Sequence, residues 1–99
     1  MPAKVERSSG NVFRDLGFGV EEAENLRLRS ELMIQLSRVI KERELTQARA
    51  AKLFGVSQPR ISDLVRGKIH RFSVDTLIAM LGHAGVHVSL VVRRSRRVA

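Results

Sequence analysis

Leu45-Thr46-Gln47-Ala48-Arg49-Ala50-Ala51-Lys52-Leu53-Phe54-Gly55-Val56-Ser57-Gln58-Pro59-Arg60-Ile61-Ser62-Asp63-Leu64-Val65-Arg66-Gly67 is the stretch whose spacing decides the architecture. Thr46 is placed to N-cap a helix running to Phe54, because its oxygen can accept from an N–H group that a helix start leaves over. Gly55 suits the left-handed residue just past that helix. Ser57 is placed to cap a second helix, with Pro59 tolerated in its first turn and Gly67 at its end. Two short helices crossing steeply need a small residue at their contact, a sharp turn, and apolar anchors on the second helix. Ala51 supplies the first, Gly55 the second, and Val56, Ile61 and Leu64 the third.

With Ile61 and Leu64 turned inward, the second helix is expected to show Gln58, Arg60, Ser62 and Asp63 outward, with Arg66 near its end. Such side chains suit the major groove of double-stranded DNA, where glutamine can bond an adenine edge twice and arginine a guanine edge twice. The N-terminal end of a helix docked in this way enters deepest. Gln58 and Arg60 are therefore assigned to base reading, with Ser57 and Ser62 as helpers. Gln47 opens the preceding helix, whose free N–H groups favour a phosphate, and is assigned to the DNA backbone. Arg66, Lys68 and Arg71 complete the expected DNA-binding set as phosphate contacts.

Working outward from this pair, Leu26, Leu28, Leu32, Met33, Leu36, Val39 and Ile40 fall within an arc of about 160° at about 100° per residue, which predicts one long amphipathic helix from Val20 to Arg43. Ile34 lands on its polar face. On the other side, Ser73 is placed to cap a further helix whose inward stripe is Val74, Leu77, Ile78, Leu81 and Ala84, stopped by Gly85. The period then changes to two: Val86, Val88, Leu90 and Val92 alternate with His87, Ser89 and Val91, predicting a β-strand. A lone strand leaves its ladder open, so it is expected to pair with its counterpart in a second chain, or within the chain with residues 11–18. That segment, with Val12, Phe13, Leu16 and Phe18, is expected to dock on the fold. Residues 1–10 read as a flexible N-terminal tail, 11–92 as the folded domain, and 93–99, with Arg93, Arg94, Arg96 and Arg97, as a basic C-terminal tail.

Eighteen Lys and Arg against 10 Asp and Glu give the 99-residue chain a formal charge of +8, which favours a polyanionic partner. An anionic membrane is the weaker choice, because no apolar run approaches the ~20 residues needed to span a bilayer, and the first ten residues lack the apolar stretch of a secretion signal. The absence of cysteine removes disulfides and thiolate metal sites and agrees with a cytoplasmic setting. No metal is expected, since His70, His83 and His87 lack ligand spacing, and no cofactor is expected either. No nucleophile with a neighbouring base and no phosphate loop stands out, so catalysis is not expected.

The 45–67 segment resembles the helix-turn-helix of the XRE/Cro/cI-type regulators in its Gln47 opening, central alanine, Gly55 turn and apolar Ile61 and Leu64. From Asn11-Val12-Phe13-Arg14-Asp15-Leu16-Gly17-Phe18 to the Val-rich end, the chain is similar to the HigA-like antitoxin branch. The resemblance implies an all-α, lambda-repressor-like helix-turn-helix bundle, with the short C-terminal β-strand added, in a homodimer on an operator with inverted half-sites. It also implies a transcriptional repressor that autoregulates its promoter, and a RelE/HigB-type ribonuclease toxin as protein partner. A stand-alone regulator without a toxin shares the same core and is the alternative. One departure is Pro59, where many relatives carry a small or polar residue able to reach a base.

Overall fold

The computed structural model describes residues 11–94, whose regular elements are all helical and lie between Val12 and His83. Helix α1 is a single turn, Val12–Asp15, held by Asn11 in two ways. The Asn11 side-chain oxygen accepts from the Phe13 N–H at 3.0 Å, and its amide donates to the Ala23 carbonyl at 3.2 Å, tying α1 to the next helix. Phe13 and Phe18 close the arm with their rings edge to face, 6.2 Å between centroids. The expectation that this segment docks therefore holds for its two aromatic residues, while Val12 and Leu16 stay exposed.

Helix α2, Val20–Glu42, is the frame on which the rest is mounted. It buries Ala23, Leu26, Leu32, Met33, Leu36 and Val39. Leu28, at the edge of the expected stripe, is left exposed, and Ile34 is exposed as its polar-face position requires. After Glu44, held in the left-handed region at φ 52°, comes α3, Gln47–Phe54, with the Thr46 hydroxyl accepting from the Arg49 N–H at 3.1 Å. Helix α4, Gln58–Val65, begins in the same way, with the Ser57 hydroxyl accepting from the Arg60 N–H at 3.3 Å and proline in the first turn. A 3₁₀ turn, Ile69–Arg71, leads to α5, Val74–His83, capped by Ser73 onto the Thr76 N–H at 3.1 Å.

Phe54, Phe72, Leu36, Ile61, Leu77, Met80 and Leu81 are fully buried and form the centre on which α2, α3, α4 and α5 converge. In α5 the inward stripe is Leu77, Met80 and Leu81, with Ala84 just beyond; Ile78, expected inside, is largely exposed.

The predicted strand is not formed in the single chain. Among the described residues there is no strand, and 86–94 carry no regular structure. The Val86 N–H turns back to the Leu81 carbonyl at 2.9 Å, and none of residues 87–94 makes a backbone–backbone hydrogen bond. A strand exists only through a ladder with a neighbour, and residues 11–18, the expected partner inside the chain, are occupied by α1 and its docking on α2. The expected tails at 1–10 and at Arg96 and Arg97 lie outside the described residues. Among the described residues, no helix is long and apolar enough to cross a membrane.

The turn between α3 and α4 is fixed by Gly55 at φ 72°. An added Cβ meets the His83 ring at 3.1 Å, but that ring is exposed and can move aside, so the backbone conformation sets the cost. Gly55→Ala is expected to lower stability by about 1–2 kcal/mol in urea denaturation. An unchanged midpoint would show that the turn relaxes.

Candidate nucleic-acid interface

Helix α4 seals itself to the core with Ile61 and Leu64, which are buried, and this fixes what the rest of the helix presents. At about 100° per residue, Pro59 and Arg66 point most directly away from that seam, with Ser62 beside them. Gln58, the first residue of α4, is exposed at the end that the Ser57 cap defines. Gln47 is exposed at the first position of α3, and Arg66 and Arg71 are exposed, while Ser62 and Lys68 are partly covered.

Two residues expected on the outer face are drawn sideways. Arg60 is partly buried: its guanidinium lies 5.2 Å from the centroid of the Phe72 ring and Nη1 donates to the Arg71 carbonyl at 3.0 Å. The Asp63 side chain is only 17% exposed and accepts from Arg71 Nη1 at 3.3 Å. In the protein alone, Arg60 and Arg71 are thus engaged within the 3₁₀ corner, each with Nη1 committed to an internal partner.

Arg29 was not singled out from the sequence, yet it holds this corner in place. Its Nη1 donates to the carbonyls of Ile69 and Phe72, at 3.3 and 3.4 Å, and its Nε to the Asn25 side-chain oxygen at 2.6 Å. A signal was present: Arg29 lies seven residues before Leu36, about 20° from it around the helix, so an arginine stands in the middle of an apolar stripe. Such a position calls for a carbonyl partner.

A second basic residue of α2 is spent locally. Arg27 bridges Glu24 and Glu31 along the exposed side of α2, and the bond to Arg27 holds the Glu24 carboxyl below its ordinary range despite some desolvation. The same contact raises Arg27 above its ordinary value. Of the three acids near the start of α2, this leaves Glu21 and Glu22 exposed and Glu24 paired. No group of three or more potential metal-ligating side chains occurs among the described residues.

Two capped helices meeting at a glycine turn, with the second helix seated on the core by one side and its capped end exposed, define a DNA-binding helix-turn-helix protein. The chain belongs to a helix-turn-helix domain family whose pattern matches residues 12–93. It is also similar, at 34% identity with a TM-score of 0.70, to a solved structure described as an XRE family transcriptional regulator, over 77% of this chain and 85% of that one. The protein is thus an XRE-type helix-turn-helix transcriptional regulator. No curated protein matches it.

Proposed function

We propose that this regulator is a sequence-specific repressor that works as a homodimer on an operator of inverted half-sites. Gln58 carries the reading: it is exposed at the capped first position of α4, where a docked helix reaches base edges. Arg60 is the second base reader and releases the Arg71 carbonyl to act. Ser57 and Ser62 assist, while Gln47, Arg66, Lys68 and Arg71 hold the DNA backbone. Selection from random duplexes with the full chain tests this directly: a defined, two-fold symmetric consensus is expected for the native protein, and Gln58→Ala is expected to relax one position in each half. A pool that enriches no sequence overturns the reading.

Binding is expected to fall steeply as salt rises, because each phosphate contact releases condensed counterions. Replacing Lys68 by alanine should reduce the slope of log affinity against log salt by about one per protomer and weaken all sequences alike. Affinity that is flat between low and moderate salt contradicts the assigned backbone contacts.

The proposal extends to an antitoxin role, with a RelE/HigB-type toxin as partner and autoregulation of a shared operon. Its support is the resemblance together with Val12, Leu16 and Val20, exposed side by side in sequence with the exposed Glu21 and Glu22. A mixed apolar and acidic surface suits a cationic protein. Co-expression with the neighbouring gene product, with and without residues 1–18, tests it. If the neighbour is harmless by itself or no complex co-purifies, the stand-alone regulator is the correct reading.

A further inference from the structure

Beside α4, and distinct from its outward side, lies a recess of about 450 Å³ in which Arg29 and His70, which have no assigned DNA contact, stand with Arg60 and Arg71. Arg29 of α2, Arg60 of α4, and His70 and Arg71 of the 3₁₀ turn converge on it, and no Asp or Glu lines it. Asp63, which does not line it, pairs with Arg71. The three arginines bond through Nη1, and Arg29 also through Nε. None uses Nη2, so each guanidinium keeps donors for a further acceptor.

The walls are built rather than loose. Arg29 is clamped by two backbone carbonyls and Asn25, and Arg60 by a carbonyl and the fully buried Phe72 ring. Side chains already held in place lose little freedom on binding a ligand. Three guanidinium groups around one concavity create a strong positive potential, and forked N–H donors match the oxygens of a phosphoryl group better than those of a neutral ligand.

We propose that this recess binds a phosphoryl group, with Arg29, Arg60 and Arg71 as its donors. The group comes either from the backbone of the bound DNA strand or from a free phosphorylated small molecule. In either case, occupancy holds Arg60 beside Phe72 and so bears on whether that arginine is available to a base. The site goes beyond the DNA reading, because phosphate binding can be observed without DNA.

The test uses inorganic phosphate titrated into the full chain at constant ionic strength, followed by chemical shifts of the arginine side chains. Thermal stabilisation is the wrong readout, since phosphate stabilises folded proteins generally. Saturable shifts of the Arg29, Arg60 and Arg71 side chains are expected. Arg29→Gln is expected to weaken binding by about tenfold or more, the scale of losing one charge-assisted hydrogen bond. Because Arg29→Gln also loosens the corner, Asn25→Asp is the second variant: it keeps the oxygen that accepts from Arg29 and adds a charge that repels phosphate, and it too should weaken binding. Competition separates the sources. If the selected duplex displaces phosphate, the DNA backbone occupies the recess; if phosphate and duplex bind together, the ligand is a free phosphorylated molecule. Shifts that rise linearly without saturation, or that are unchanged in both variants, overturn the proposal even if DNA binding is intact.

Discussion

A chain ending at Val86 is expected to remain folded but to bind its operator about a hundredfold more weakly, or worse. Folding should survive because the last side chains packed on the core are Ala84 and Val86, whereas Val88, Leu90, Val91 and Val92 are exposed and residues 87–94 make no backbone–backbone bond. Affinity should fall because joining two half-site readers makes the second contact intramolecular, an effect worth about 10²–10⁴. On the proposed homodimer, this segment is the candidate seam between the two copies. Antiparallel pairing about Ser89 sets Val86 opposite Val92 and Val88 opposite Leu90, all on one side, and places each Arg93 beyond the paired apolar residues. Backbones paired there approach to about 4.5–5.5 Å between Cα atoms, within disulfide reach. The chain has no cysteine of its own. Ser89→Cys should therefore give a cross-linked dimer on mild oxidation, and Val91→Cys should not. A truncated chain that dimerises and binds as well as the native one places the interface elsewhere.

The largest loss of stability is expected from Phe72→Ala, at roughly 3–5 kcal/mol. Phe72 is 1% exposed, follows the 3₁₀ turn, and packs in the same core as Leu36, Ile61 and Leu77. Against a total of about 5–15 kcal/mol for a folded domain, that change leaves a marginal protein, measurable as an early urea midpoint. Phe72→Leu separates packing from recognition. It retains much of the apolar volume but removes the ring under Arg60, a contact worth about 0.5–2 kcal/mol. The leucine variant should fold and yet give altered selectivity at the Arg60 position. An unchanged consensus with unchanged affinity means that the ring does not orient that arginine for its task.

The parts of the fold legible in sequence were those fixed by local chemistry. Thr46, Ser57 and Ser73 each cap the helix their position predicts, and Gly55, Gly67 and Gly85 take up positive φ where helices end. Periodicity located α2 and α5 but not the limits of their buried sides. Near its start α2 turns Ala23 and Leu26 toward α1, so Leu28 on the opposite edge is left outside; in α5, Met80 takes the place expected for Ile78. Which edge of an apolar arc is covered depends on neighbours tens of residues away, and no short window contains them. The same holds for the interface. The exposed position of Gln58 follows from the Ser57 cap that places it at the start of α4, whereas the sideways position of Arg60 follows from Phe72 and Arg71, eleven or more residues further along. The strand was read from alternation alone, and alternation states a tendency whose realisation requires a second backbone.

At the corner where the His83 ring rests 3.1 Å from where a Cβ on Gly55 would stand, the end of α5 touches the turn that sets the angle of α4. The proposed seam begins three residues later, at Val86. A change in the number of residues between His83 and Val86 would therefore move two reading helices apart or together, or rotate one about the other, without touching Gln58 or Arg60. On the proposed dimer, half-site vocabulary and half-site spacing would thus be encoded in separate short stretches of chain, and insertion or deletion at 84–85 would be expected to suit the protein to a differently spaced promoter while keeping its recognition letters.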